Sequence, residues 1–179
     1  TSGNVQLIAG RHIKTDSASG TATEIQTTGD VLLKAGDSIG TDANRIELKE
    51  VTKLAAVSAG ASAAGEIFVR KITGTANNLE LGTVTAVNAA SSLDGTVAGT
   101  LSGVVTQLND NDVTVTVQSG ALNVTQNVTA HGAGKVDLRA AGTSSDININ
   151  NNVSGATVSS TSGNVQLIAT ATYSDGNVY

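Results

Sequence analysis

Apolar residues recur every second position in several short runs of this chain, and the runs share a template. G-x-V-x-L-x-A holds at GNVQLIA (Gly3 to Ala9), GDVLLKA (Gly29 to Ala35), GKVDLRA (Gly134 to Ala140) and GNVQLIA again (Gly163 to Ala169), with a looser copy, GEIFVRK, from Gly65 to Lys71. Period-two alternation marks a strand with one buried face, so Val5, Leu7 and Ala9 point one way and Asn4, Gln6 and Ile8 the other. Further short runs, RIELKEV (Arg45 to Val51), NLELGTV (Asn78 to Val84), DVTVTVQ (Asp112 to Gln118), ALNVTQNV (Ala121 to Val128) and DININ (Asp146 to Asn150), are bounded by Gly, Asn, Asp or Ser. Many short strands punctuated by turns predict an all-β chain. One Ala-rich stretch, Val51 to Gly65, has the composition of a short helix; its β-branched residues, serines and Gly60 favour an extended reading, with Leu54 and Val57 inward.

The template recurs at uneven distances, 26 residues from Gly3 to Gly29 and 29 from Gly134 to Gly163. Recurrence of one strand unit predicts a solenoid, in which no coil buries its own apolar face and each stacks on the next. Coils of about 20 to 30 residues give seven to nine rungs spaced about 4.8 Å, a rod on the order of 35 to 45 Å long. The nonapeptide TSGNVQLIA occurs at Thr1 to Ala9 and again at Thr161 to Ala169. The expected organisation is one β-helical segment over 1–179: a long repeat of about 1–160 and the start of the next over 161–179, cut from a tandem array. No cap is legible at either end, and Asn177-Val178-Tyr179 reads as another GNV-type strand beginning.

Composition narrows the core. Of 179 residues only Phe68, Tyr173 and Tyr179 are aromatic, and there is no Trp, Met, Cys or Pro. Val, Leu, Ile and Ala must therefore fill a thin interior, and 20 glycines with Asn and Asp must make the turns, with positive φ expected at many corners. Without Cys there is no disulfide or thiol chemistry. A net charge of -5 with both signs interspersed argues against nucleic acid and anionic membrane as partners, and no apolar run is long enough to span a bilayer.

GNVQLIAGRHI (Gly3 to Ile13) and GDVLLKAGDSI (Gly29 to Ile39) resemble the repeats of filamentous haemagglutinin and related secreted exoproteins. The run from Gly36 to Val87 is similar to the repeats of very large bacterial surface proteins built from β-strand repeats. The likeness covers about three quarters of the chain and is weakest from Asn88 to Val128. The resemblance implies a right-handed parallel β-helix, a secreted or cell-surface location, and a role as the stalk of an adhesin or extracellular fibre. Implied partners are neighbouring repeats or like chains joined end to end, and host or cell-surface glycans or proteins. It supplies no catalytic motif.

Candidate chemistry is sparse. His12 and His131 lie in turn-like settings without metal-ligand spacing, and read as solvated turn residues. Asp110 and Asp112, and Asp37 and Asp42 about Gly40, form oxygen-rich turns of the kind calcium uses, although neither matches a known calcium loop; structural turn residues are the competing and preferred reading. The asparagines from Asn148 to Asn152 suit an inter-rung amide ladder. Asn123, Asn127 and Asn152 are glycosylation sequons that arise readily in so polar a chain. Arg11, Arg45, Arg70 and Arg139 are scattered along the chain, so a carbohydrate-degrading or carbohydrate-binding β-helix, which needs a groove of converging carboxylates, is the alternative function and no enzyme is expected. Thr114-Val115-Thr116 is a single triplet, too little for an ice-binding ladder. Ile8, Leu32, Phe68 and Ile168 are apolar at outward positions; either loops cover them or they mark lateral contacts.

Overall fold

The computed structural model describes residues 3–18, 22–60, 65–75, 77–86, 99–142, 145–149 and 155–170. Among them the chain is all β, without a helix, and forms a β-solenoid of about five turns. Two parallel sheets make its walls. The front sheet begins β1 (Val5–Ala9), β3 (Asp30–Ala35), β5 (Lys53–Ser58). It continues as pairs of shorter pieces: β7 (Leu79–Leu81) with β10 (Val104–Thr106), β12 (Leu122–Val124) with β13 (Val128–Ala130), and β15 (Ile147–Ile149) with β16 (Val158–Ser160). The back sheet stacks β2 (Ile25–Gln26), β4 (Ile46–Lys49), β6 (Ile67–Lys71), β11 (Val113–Val117), β14 (Val136–Ala141) and β17 (Val165–Thr170). The template serves both walls: its copies are β1 and β3 in front, and β6, β14 and β17 behind.

Register follows the template residue by residue. Val5, Leu7 and Ala9 lie beside Val31, Leu33 and Ala35, and Val113, Val115 and Val117 beside Val136, Leu138 and Ala140. A one-residue slip would turn each apolar set to water, so the alternation itself locks the stack. The interior is one aliphatic column in which Val31, Leu33, Leu54, Val69, Val115 and Leu138 are all fully buried.

The expected seven to nine coils are about five because excursions take residues out of the rungs. Between Gly82 and Gly103 the chain leaves the front wall, and the Gly103 N–H donates to the Gly82 carbonyl at 2.9 Å, closing the base. Leu54 of β5 therefore pairs with Leu81 on one side of the break, and Ala56 with Val104 on the other. The excursion forms an antiparallel pair, β8 (Thr83–Thr85) with β9 (Thr100–Ser102). Shorter departures separate Ile13 from Ile25 and Ile39 from Ile46, although Ile13, Ile39 and Ile67 still stack in line. Six levels per wall span about 24 Å at the usual strand spacing.

The β8–β9 pair lies on the front wall. Val84 packs with Leu32 and Ala55, flanked by Ala86 and Leu101, so a loop covers the outward Leu32. Phe68 is buried, Ile168 half-buried and Ile8 exposed. The stretch at Val51 to Gly65 is extended where described, with one change of facing. Leu54 and Ala56 point inward and Val57 outward, because residues three apart cannot share one face of a strand.

Template glycines owe their place mainly to close approach. A Cβ on Gly29 would sit 2.5 Å from the Gly3 carbonyl oxygen on the coil below, and Gly163 meets Gly134 in the same way. Positive φ, expected at the corners, occurs at the template's Gly3 and at glycines outside the template such as Gly40, Gly60 and Gly120.

Candidate functional site

Polar side chains concentrate where the chain leaves one wall for the other. There the backbone N–H no longer meets a ladder carbonyl, and an Asn, Asp or Glu oxygen one coil below accepts it. Asn4 Oδ1 accepts the N–H of Asp30 at 2.9 Å, Glu24 Oε2 that of Glu47 at 2.8 Å, and Asn78 Oδ1 that of Ala121 at 2.9 Å. Asp110 Oδ1 accepts from Ala133 and Asp112 Oδ1 from Lys135, both at 2.8 Å. Every one of these bonds runs from a side chain on one coil to the backbone of the next.

Of the calcium candidates, Asp110 and Asp112 fall into this scheme and Asp37 and Asp42 are held by ion pairs. Asp110 and Asp112 share a corner, each with an oxygen committed to the coil above, and Asp112 also lies 3.5 Å from Lys135 Nζ. Asp37 is buried and faces Arg11 Nε at 3.4 Å and His12 Nε2 at 3.6 Å, while Asp42 bonds Arg45 at 2.7 Å. Among the described residues no three His, Cys, Asp or Glu side chains are grouped as a metal ion needs.

His12 is half-buried rather than solvated. Its Nδ1 lies 2.9 Å from Ser38 Oγ and accepts the Ser38 N–H at 3.3 Å, which places the ring proton on Nε2, toward Asp37. Ser38 is only 3% exposed, and Asp37 Oδ2 lies 3.6 Å from His12 Nε2, beyond hydrogen-bond length. The cluster clamps the first coil to the second. Sequence reasoning missed it, although the 26-residue offset that aligns Gly10-Arg11-His12-Ile13 with Gly36-Asp37-Ser38-Ile39 holds the signal. His131 is exposed, with Nδ1 2.8 Å from the Asn109 carbonyl.

Lys71 also escaped notice. It occupies the template's Ala position, points into the core between Leu48 and Val117, and is fully buried. Its ammonium donates to the carbonyls of Val51 and Asn78, which lie on successive corners. Burial lowers its pKa to about 8, partly opposed by the nearby Glu50 carboxylate. Glu50, at left-handed φ 62°, also accepts the Thr75 N–H at 2.8 Å.

Three of the four arginines, scattered in sequence, gather on the outer face of the back wall. Arg70 chelates the buried Glu47 carboxylate at 2.5 to 3.1 Å, and Arg139 binds Asp137 at 2.6 and 2.8 Å, which holds the Arg139 pKa above its ordinary value. Arg45 reaches Thr116, two coils up, at 3.3 Å. Thr116 stands between Arg70 and Arg139, and Thr114 between Phe68 and Asp137, so the Thr triplet is not repeated on the adjoining coils. On the front wall, Asn148 Nδ2 donates to Asn123 Oδ1 at 3.0 Å, an amide ladder between rungs. Asn127, another sequon residue, accepts the Thr157 N–H. Asn150 to Asn152 and Asn177 to Tyr179 lie outside the described residues.

Set against known proteins, the chain matches no family, no curated protein and no solved structure.

Proposed function

We propose that the chain is a structural segment of a secreted bacterial surface fibre or adhesin, a stiff stalk with contact surfaces and no catalytic role. The observation that carries this reading is the aliphatic column, interrupted by the buried Lys71 and sealed at successive corners by side chains that bond the coil above. Such a column gives reach and stiffness, because each rung is held by ladder hydrogen bonds, apolar burial and a polar corner bond together. The β8–β9 excursion covers part of the front wall without breaking the stack, which gives the stalk a loop surface suited to contact. In this reading the coils wind right-handedly, as parallel crossovers do. Residues 1–160 are one repeat of a longer array, further coils come from neighbouring repeats, and the stalk meets host or cell-surface glycans or proteins through its loops.

Antibodies against the folded segment test this. Labelling of intact, unpermeabilised cells of the bacterium that encodes it is the expected result. Labelling only after lysis would overturn it.

A further inference from the structure

Phe68 is the chain's single phenylalanine, and it points away from the core. Its strand neighbours Ile67 and Val69 face the aliphatic column, yet Phe68 is only 9% exposed. Thr114, beside it on the coil above, is 5% exposed on the same outer face. The register one coil below accounts for the cover. Ile39 pairs with Ile67 and Ile46 with Val69, so the six residues Gly40 to Arg45 stand where β6 has the one residue Phe68. They leave toward the outer face, because the inner side is the packed column. The excursion closes on itself: the Thr41 N–H donates to the Asn44 carbonyl at 2.9 Å, and the Asn44 N–H to Thr41 Oγ1 at 3.0 Å. It departs at Gly40, which has φ 69° and where a Cβ would strike the Phe68 carbonyl oxygen.

The other end of the excursion is tied up the wall. Arg45 starts one coil below Phe68, and its Nη1 donates to Thr116 Oγ1, one coil above Phe68, at 3.3 Å, so its side chain crosses the level of the ring. The same guanidinium holds Asp42 of the excursion at 2.7 Å. Asp42 also acts on Arg139, further up the wall. The hydrogen bond and charge of Asp137 are the main cause of the raised Arg139 pKa, and the Asp42 carboxylate adds to them.

We propose that Gly40 to Arg45 form a strap over the outer face of the back wall, latched by Arg45 and Asp42, which salt releases so that Phe68 is bared while the coils stay stacked. The latch is suited to release. The Asp42 side chain is 78% exposed, and ionic contacts at such positions are weak and are screened as ionic strength rises. The stack does not depend on the latch. On one side of the excursion the Ile39 N–H donates to the Glu66 carbonyl and the Phe68 N–H to the Ile39 carbonyl; on the other β4 pairs with β6. A short loop fixed at both ends therefore lifts without unzipping either strand. The strap goes beyond the stalk reading and does not rest on it.

Solvent access to the ring tests this in the unaltered protein. Ring-labelled phenylalanine gives one set of aromatic magnetic-resonance signals, since the chain has no second Phe, and a neutral gadolinium chelate enhances their relaxation more the more the ring is exposed. Between about 0.05 and about 1 M KCl the Debye length falls from more than about 10 Å to about 3 Å. Over that range the enhancement is expected to rise several-fold, with the far-ultraviolet circular dichroism unchanged. Asp42→Asn is expected to start high and to lose most of the salt dependence. Thr116→Val keeps the shape of the side chain but removes the acceptor of Arg45, and is expected to raise the enhancement at both salt concentrations. An enhancement flat with salt in the parent overturns the strap. So does a salt dependence as steep in Asp42→Asn as in the parent, or a Thr116→Val protein with the parent's enhancement. A rise accompanied by loss of the strand dichroism overturns it as well, because the coils would then be opening rather than the strap.

Discussion

The carboxylate of Asp112 accepts the backbone N–H of Lys135, one coil above it, at 2.8 Å. A corner bond of this kind contributes on the order of 1 to 2 kcal/mol. Asp112→Ala is therefore expected to lower the unfolding free energy by about that much, and Asp112→Asn, which keeps the acceptor oxygen, by less. Urea denaturation of the three proteins measures the difference. If the corners hold by these bonds rather than by calcium, chelator leaves the melting temperature of the parent unchanged.

Two glycines at opposite ends of the template strand, Gly29 before β3 and Gly10 after β1, have opposite tolerances. A methyl group at Gly29 runs into the Gly3 carbonyl at 2.5 Å, whereas one at Gly10 meets nothing within 4 Å. Gly29→Ala is expected to destabilise by about 1 to 3 kcal/mol, and Gly10→Ala to stay within about 0.5 kcal/mol of the parent. Equal effects would mean that the coils do not approach at the template glycine.

Lys71 makes stability depend on pH with a definite sign. Below about pH 8 the side chain is charged both folded and unfolded, and the folded state bears the cost of the buried charge in full. Between about 8 and the ordinary 10.5 the unfolded chain binds a proton that the folded chain does not, so the Lys71 contribution rises with pH. Relative to Lys71→Met, the parent is expected to gain on the order of 3 kcal/mol across that window. Chemical denaturation of both proteins at pH 7 and pH 10 measures it, and a constant difference would contradict the burial of the charge.

The same template position has different weight within the stack and at its end. Leu138 is fully buried with a strand on each side, whereas Leu167 is 42% exposed with β14 on one side. Leu138→Ala is expected to cost about 2 to 5 kcal/mol and Leu167→Ala clearly less. Comparable losses in thermal or urea unfolding would mean that the end rung is covered in solution.

Val31, Leu33, Val115 and Leu138 announced their facing in the sequence, because period-two alternation and a shared register are local properties that the stack merely repeats. The number of turns was not legible in this way. Gly82 looked like a point inside one strand run, NLELGTV, and only its bond to Gly103 shows that the chain departs and returns there. Residue spacing cannot distinguish a long coil from a short coil carrying an excursion. The polar sites were hidden for a related reason. His12 finds Ser38, and Arg45 finds Thr116, through stacking offsets of one and two coils, so both contacts depend on first knowing which residues share a column. Lys71 gave a local sign, a charge where the template has Ala, but a sign equally compatible with a strand end in water.

Ile8, Lys34, Val57, Val105, Thr129 and Ser159 form one outward column, each beside the next on the neighbouring coil. Spin labels at Ile8→Cys and Ser159→Cys, five steps apart, therefore read the rise of the solenoid directly. Pulsed electron paramagnetic resonance is expected to give one narrow distribution centred near the backbone separation of about 24 Å, allowing for the label arms. A broad distribution, or one centred far from that distance, would contradict the parallel stacking of the coils.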